Sequence, residues 1–168
     1  SIMPCIAKKA ERELPGMQSA GAGSDVDLVL TTRELARIVR AEHIDVEQLA
    51  DSPFDDPLGN GSGAGVIFGA TGGVMEAALR SAYFLTTGEN PSADAFCEVR
   101  AAENESRPWR EAAFDLAGTT IHCAVASGLA NARHLIRAIK RREVHYEFVE
   151  IMACPGGCAG GGGQPVDG

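Results

Sequence analysis

Residues 150–165 read Glu150-Ile151-Met152-Ala153-Cys154-Pro155-Gly156-Gly157-Cys158-Ala159-Gly160-Gly161-Gly162-Gly163-Gln164-Pro165, an apolar strand that opens into a glycine-rich loop. Two thiols, Cys154 and Cys158, lie four positions apart in that loop and can both turn towards one metal cluster. Soft thiolates suit iron-sulfur centres, and glycine lets backbone amides approach cluster sulfides closely and donate hydrogen bonds to them. The spacing differs from the two-residue gap of zinc ribbons and thioredoxin-like redox pairs, so it favours an iron-sulfur cofactor.

The segments before this stretch alternate between strand-like and helix-like patterns. Alternating apolar residues predict strands at 26–30, 96–99 and 146–152, and a hairpin that joins 112–116 to 121–125. Helical spacing and end signals predict helices from the capping box Thr31-Thr32-Arg33-Glu34 to about Glu42, from Val74 to Gly88, and from Leu129 to Arg141. This order predicts an α/β fold in which helices flank a mixed β-sheet.

A second cysteine segment lies near the start of the chain and reads Met3-Pro4-Cys5-Ile6-Ala7-Lys8-Lys9-Ala10-Glu11. A lysine three positions after a cysteine at a strand end can place a cation beside an anionic cofactor that the cysteine binds. Taken alone, the segment favours a buried structural thiol, because free cysteines are among the most buried residues. The interpretation of this segment therefore depends on residues 150–165.

Together the two segments resemble two of the three signature motifs of the FeFe hydrogenase active-site domain. These motifs are Met-Pro-Cys-x-x-Lys-x-x-Glu and Met-Ala-Cys-x-x-Gly-Cys-x-x-Gly-Gly-Gly-Gln-Pro. The resemblance continues through residues 31–36, 65–80 and 128–133, so it covers nearly the whole chain. It implies that residues 1–168 are a partial H-cluster domain, truncated at both ends, and one lobe of a two-lobed catalytic domain.

The cofactor implied by this resemblance is the H-cluster. It is a 4Fe-4S cubane joined through one cysteine sulfur to a di-iron unit that carries carbon monoxide, cyanide and a bridging dithiolate amine. Matched motif by motif, Cys5 and Cys154 would ligate the cubane. Cys158 would ligate the cubane and also bridge to the di-iron unit.

Residues around the di-iron unit follow from the same match. Lys8 would donate a charge-assisted hydrogen bond to a cyanide. Met3 and Met152 would line the di-iron site as soft apolar walls. The resemblance places three further residues near the same pocket, Phe68, Gly69 and Ala70.

One motif of the family, Thr-Ser-Cys-Cys-Pro, has no match in this chain. In the family it supplies the fourth cubane ligand and a cysteine that passes protons to the site. Cys97 and Cys123 lack that context and lie in strand-like apolar segments, where buried structural thiols are expected. We therefore expect the motif upstream of Ser1 and expect the isolated piece to be inactive.

The activity implied for the longer parent enzyme is the reversible oxidation of dihydrogen and reduction of protons, with electrons entering through the cubane. The expected partners are dihydrogen and protons, an electron carrier such as ferredoxin or other iron-sulfur domains, and the remaining parts of the parent catalytic domain. Two alternatives stay open. One is a non-catalytic iron-sulfur relative used for cluster assembly or sensing, and the other is a structural zinc module that uses Cys5, Cys154 and Cys158.

Composition and charge exclude other classes of function. The chain is 45% apolar and 23% charged, which is typical of a soluble globular protein. A net charge of -8 without a Lys/Arg stripe argues against nucleic-acid binding. No apolar run approaches a membrane span and no signal peptide is evident, so we expect a cytoplasmic location, or a periplasmic one reached through a partner subunit. Gly69-Ala70-Thr71-Gly72-Gly73 lacks the lysine of a P-loop, which favours close helix packing over a phosphate site.

Overall fold

The chain divides into two compact units in a computed structural model that describes residues 1–53, 55, 63–101 and 106–165. The first unit comprises Ser1–Asn60 and Ala159–Gly168, and the second comprises Gly61–Cys158. Both units combine helices with strands, which confirms the predicted α/β class. Among the described residues, no helix has the length and apolar character needed to cross a membrane.

Two short strands and one capped helix form the first unit. In chain order its elements are β1 (Ile2–Met3), α1 (Lys8–Glu11), β2 (Leu30–Thr31), α2 (Thr32–Ala41) and a 3-10 turn at Val46–Gln48, with β1 parallel to β2. The Thr31 hydroxyl accepts a hydrogen bond from the Glu34 amide at 3.1 Å, and the Glu34 carboxylate accepts one from the Thr31 amide at 2.8 Å. This reciprocal pair satisfies free amides at the start of α2 and confirms the predicted capping box.

The glycine-rich segment after residue 158 closes the first unit. The Gly163 amide donates to the Pro4 carbonyl at 3.0 Å, and the Arg33 amide donates to the Gly163 carbonyl at 2.9 Å. A Cβ at Gly163 would lie 2.7 Å from Cγ2 of Thr31, closer than side chains approach one another. Glycine at this position therefore lets the segment pack directly against β1 and β2.

A mixed sheet with helices on both faces forms the second unit. Its elements, in chain order, are α3 (Ala64–Ile67), α4 (Gly73–Thr87), α5 (Glu98–Ala101), β3 (Arg110–Leu116), β4 (Thr119–Ser127), α6 (Leu129–Lys140) and β5 (Phe148–Met152). The strand order is β3-β4-β5, with β3 antiparallel and β5 parallel to β4. The predicted hairpin, the helices from 74 and from 129, and the final strand are confirmed.

Strand β4 divides the core of the second unit between the two faces of the sheet, because successive side chains point to opposite faces. One face packs Cys123 and Val125 against α4 and the segment before β3, in a cluster completed by Met75, Leu79, Phe96 and Val99. The other face packs Ala124 and Ala126 against α6, in a cluster completed by Trp109, Ala132, Leu135 and Ala138. Burial of a side chain such as Met75 or Leu135, both 0% exposed, contributes roughly 1.5–3 kcal/mol.

One predicted strand, 26–30, is confirmed only at Leu30, and another, 96–99, is wrong. Residues 26–29 are irregular, and the Asp27 carbonyl accepts a hydrogen bond from the Arg12 guanidinium instead of a strand partner. Residues 96–99 are a turn followed by the start of helix α5, and Phe96 and Val99 both enter the same core cluster. On a strand, side chains three positions apart would point to opposite faces, so this pair excludes a strand.

The two cysteines outside the motifs differ from each other. Cys123 is 1% exposed within β4, and burial raises the pKa of its thiol to about 11, which confirms a structural role. Cys97 lies in a turn before α5 and is only partly buried, so its predicted place in a buried strand is wrong. The burial of Cys97 was predicted from a strand at 96–99, and that strand is absent.

Candidate metal centre

The loop from Cys154 to Cys158 is a tight turn in the second unit. The Gly157 amide donates to the Cys154 carbonyl at 3.0 Å, which closes the turn. Pro155 and then Gly156, with φ +78°, occupy the two central positions, as in a type II turn. Both thiols are free and partly buried, so one turn carries a soft ligand at its start and another immediately after its end.

Gly157 packs this turn against the segment that precedes α4. A Cβ at Gly157 would lie 2.5 Å from the Gly69 carbonyl oxygen, 2.7 Å from the Thr71 nitrogen and 2.9 Å from the Ala70 carbonyl carbon. Gly69 and Ala70, which the sequence placed near the cofactor, therefore border the cysteine loop. Phe68, which precedes them at the end of α3, is 45% exposed. The contact supports close packing as the role of this glycine-rich segment.

Hydrogen bonds hold Gly156 from two sides. Its amide donates to the Ser127 hydroxyl at 2.9 Å, and its carbonyl accepts from the Thr71 amide at 3.2 Å. Ser127 ends β4 opposite Met152 in the parallel ladder, so the predicted apolar wall residue Met152 sits at the strand end that leads into the loop. Sequence reasoning missed Ser127 and Thr71, because neither belongs to a cysteine motif.

Glu150 anchors the start of α4 to β5. Its buried carboxylate accepts hydrogen bonds from the amides of Gly72 and Met75, both at 2.7 Å. A carboxylate at a helix N-terminus satisfies free amides and interacts favourably with the helix dipole. The sequence signal for this anchor is a single acidic residue inside the otherwise apolar strand Phe148–Met152, and no motif assigns it a function.

The glycine amides near the cysteines are engaged within the protein. Those of Gly156, Gly157 and Gly163 donate to Ser127, to Cys154 and to Pro4, respectively. We expected such amides to be directed at cluster sulfides, and for these three the structure shows other acceptors. Their contribution is to permit the turn and the close packing.

Cys5 lies in the first unit, between β1 and α1, and its thiol is free and partly buried. Lys8, at the start of α1, forms an ion pair with Glu11 at 2.7 Å. Met3 and Lys8 line one cavity of about 370 Å³, together with Glu11. The structure thus brings together two of the predicted cofactor contacts and pairs Lys8 with Glu11, the glutamate of the same motif.

A second ion pair links α1 to α2. The Lys9 ammonium lies 2.8 Å from the Glu34 carboxylate. This ammonium, followed by the Thr31 amide, lowers the pKa of Glu34 to about 2. The Glu34 carboxylate is therefore ionised over the whole neutral and mildly acidic range.

The three predicted ligands are distributed over both units, with Cys5 in the first and Cys154 and Cys158 in the second. Within either unit, the described residues include no group of three His, Cys, Asp or Glu side chains placed to hold one metal ion. The donor set itself fits an iron-sulfur centre, because all three thiols are free and accessible and thiolate is the preferred cluster ligand.

Comparison with known proteins adds a family and its relatives. Residues 1–162 match the model of the iron only hydrogenase large subunit, C-terminal domain. The chain is 47% identical to the NADP-reducing hydrogenase subunit HndD of Solidesulfovibrio fructosivorans, over 98% of this chain and 27% of that protein. The structure is similar to that of a single-residue variant of the FeFe hydrogenase HydA1 from Chlamydomonas reinhardtii, with a TM-score of 0.75, 36% identity and coverage of 99% of this chain and 48% of that chain.

A relative with a different role is also similar. The chain is 31% identical to cytosolic iron-sulfur assembly component 3 of Pongo abelii, over 98% of this chain and 34% of that protein. The chain thus spans between about a quarter and a half of the length of these proteins. The similarity includes proteins named as hydrogenases and a protein named for cluster assembly.

Proposed function

Because the chain belongs to the family of C-terminal domains of iron-only hydrogenase large subunits, we propose that it is part of a catalytic domain that reversibly oxidises dihydrogen at an H-cluster. The observation that carries this proposal is the turn with two partly buried thiols at Cys154 and Cys158, within a chain that retains the Cys5 motif. When bound, the H-cluster supplies the redox and Lewis-acid chemistry that interconverts protons, electrons and dihydrogen.

The three thiolates are the proposed ligands from this chain. Cys5, Cys154 and Cys158 would hold the cubane, and Cys158 would also hold the di-iron unit. Thiolates are soft donors, and partial burial limits the access of water to the iron-sulfur bonds. The fourth ligand and the proton-passing cysteine come from another segment of the parent catalytic domain, of which residues 1–168 form a part.

Lys8 and the two methionines are proposed to contact the di-iron unit. The Lys8 ammonium would donate a charge-assisted hydrogen bond to a cyanide of that unit, and the Glu11 carboxylate, 2.7 Å from the ammonium, restricts its orientation. Met3 and Met152 supply apolar surface that excludes water. Phe68, Gly69 and Ala70 are proposed as further cofactor contacts. An iron-sulfur domain or a carrier such as ferredoxin would supply the electrons.

Anaerobic reconstitution with ferrous iron and sulfide tests the ligand set. We expect the 168-residue chain to retain a cluster of about four irons and four sulfides, as a cubane requires. Cys5→Ser, Cys154→Ser and Cys158→Ser should each lower iron and sulfide per chain, whereas Cys97→Ser should leave both unchanged. Binding of zinc without iron or sulfide would instead favour the structural zinc module.

Cluster assembly or sensing without the di-iron unit is the second candidate function. The similarity to cytosolic iron-sulfur assembly component 3 favours it. The retention of Lys8, Met3 and Met152 as a set opposes it, because a carrier of a cubane alone does not need a cyanide donor and apolar di-iron walls. Infrared spectra of the matured full-length parent separate the two. Carbon monoxide and cyanide bands indicate the hydrogenase, and a cubane signal without them indicates the assembly protein.

A further inference from the structure

We propose that Ser127 is a positioning residue for the cofactor, which fixes the Cys154–Cys158 loop through the amide of Gly156. The inference rests on the proposed function, because it assumes that this loop binds a cluster. Ser127 lies 27 residues before Cys154 in sequence, and neither cysteine motif contains it. The Gly156 amide donates to its hydroxyl at 2.9 Å, so the contact acts at the centre of the turn that separates the two thiols.

Ser127 is itself held rigidly. Its carbonyl accepts a hydrogen bond from the Asn131 side chain at 2.8 Å, in the first turn of α6. The next residue, Gly128, donates from its amide to the Met152 carbonyl at 2.8 Å. The hydroxyl of Ser127 thus projects from the joined ends of two paired strands, and side chains on such elements are positioned more accurately than those on free loops.

A second contact fixes the other side of Gly156. Its carbonyl accepts from the Thr71 amide at 3.2 Å, and the Thr71 hydroxyl donates to the Ser127 hydroxyl at 3.4 Å. The segment that carries Thr71 is in turn attached to β5, because the Glu150 carboxylate accepts from the Gly72 and Met75 amides. Gly156 is therefore clamped between two parts of the second unit that are tied to the same sheet.

This clamp sets the geometry of both thiols. Cys154 starts the turn and Cys158 follows it, so a rotation of the peptide units around Gly156 changes the separation and direction of the two sulfur atoms. Ligands held before the metal arrives lose less conformational freedom on binding, and partners that orient ligands affect metal affinity strongly. Among the described residues of this clamp, Ser127 is the only one whose side chain accepts a hydrogen bond from an amide of the loop.

The test compares Ser127→Ala with Ser127→Thr, which keeps a hydroxyl and suits a strand end. Ser81→Ala is the matched control, because the Ser81 hydroxyl donates to the Ala77 carbonyl within α4, away from the loop. The first readout is the hydrogen exchange of the Gly156 amide in the metal-free, reduced chain, measured by NMR. The second is the rate at which a chelator removes iron from the reconstituted chain, with the EPR spectrum of the reduced cluster.

For Ser127→Ala we expect about five- to tenfold faster exchange at Gly156, the effect of losing one ordinary hydrogen bond. Iron removal should accelerate roughly tenfold or more, with a changed EPR line shape. Ser127→Thr and Ser81→Ala should both behave as the wild type.

Unchanged exchange at Gly156 in Ser127→Ala overturns the proposed contact. Faster exchange with unchanged iron removal and EPR spectrum overturns the positioning role and leaves a structural one. If the wild-type chain takes up no cluster, the ligand set proposed for this chain fails and this inference fails with it, a result that is seen before any Ser127 variant is compared.

Discussion

The two cysteine-bearing regions are held by different physical means. Around Cys5 in the first unit, ion pairs of half-exposed side chains, Lys8 with Glu11 and Lys9 with Glu34, add to backbone packing at Gly163. Around Cys154 and Cys158 in the second unit, the contacts are backbone packing at Gly157 and hydrogen bonds such as those to the buried Glu150. The first region therefore depends in part on charge at the protein surface, whereas the second depends on close packing and buried hydrogen bonds.

This difference predicts how each region responds to perturbation. Ion pairs between exposed side chains contribute about 0–1 kcal/mol and weaken with salt. Close packing and buried polar contacts cost more to disrupt, because nearby backbone cannot move away without breaking other contacts. A change in side-chain volume should damage the second region, whereas a change in pH or salt should damage the first.

Gly157→Ala should give the largest effect. The added Cβ would lie 2.5 Å from the Gly69 carbonyl oxygen, at a residue whose φ is +98°. Steric overlap and backbone strain together should lower the free energy of unfolding by about 2–4 kcal/mol, measured by urea titration followed by circular dichroism.

Gly156→Ala separates the two causes of that loss. Gly156 has a similar φ of +78°, but a Cβ there would meet no atom within 4 Å. This variant carries the strain without the overlap, so it should lose clearly less stability than Gly157→Ala. Equal losses would show that backbone conformation alone, and not packing on the Gly69–Thr71 backbone, makes glycine necessary in the loop.

The parts of the fold that sequence predicted are those with strong local patterns. The capping box at Thr31 is specified within four residues, and the hairpin from Arg110 to Ser127 has a regular alternation around a short turn. The helix after Gly128 has regular apolar spacing. Each of these elements is determined by residues close to it in sequence, so each could be predicted without the rest of the chain.

The failures depend on distant neighbours. At Phe96 the backbone has φ +67°, and Phe96 and Val99 join the core cluster of Met75, an environment that four residues of sequence cannot reveal. The contacts of the candidate site join Ser127 to Gly156 and Glu150 to Gly72, 29 and 78 positions apart. Motif matching identified the cysteines, while their supporting residues required three-dimensional structure.

An intermediate effect is expected from Thr31→Val, which retains the shape of the side chain and removes the capping hydroxyl. The Glu34 amide would lose its acceptor at 3.1 Å, and loss of such a cap costs about 1 kcal/mol of the free energy of unfolding. Urea titration of Thr31→Val against Thr32→Val, which leaves the cap in place, measures this loss. A larger loss in Thr32→Val would contradict the assignment of the cap to Thr31.

The smallest effect should be electrostatic and confined to acid pH. The pKa of Glu34 falls from its ordinary 4.5 to about 2 in the folded chain, chiefly through the Lys9 ammonium. A carboxyl whose pKa is lowered on folding stabilises the fold above its unfolded pKa, and this contribution disappears as the pH falls through the folded pKa. The first unit should therefore lose stability between about pH 4.5 and 2.

Lys9→Met should raise the pKa of Glu34, measured by NMR titration of its carboxyl carbon, and reduce this loss, whereas Lys140→Met on α6 should change neither. High salt should act in the same direction as Lys9→Met, because both side chains of the ion pair are about 40% exposed. A Glu34 titration that stays unchanged in Lys9→Met would mean that the capping amide of Thr31, and not surface charge, determines this carboxylate, and the contrast between the two cysteine regions would then be smaller than we propose.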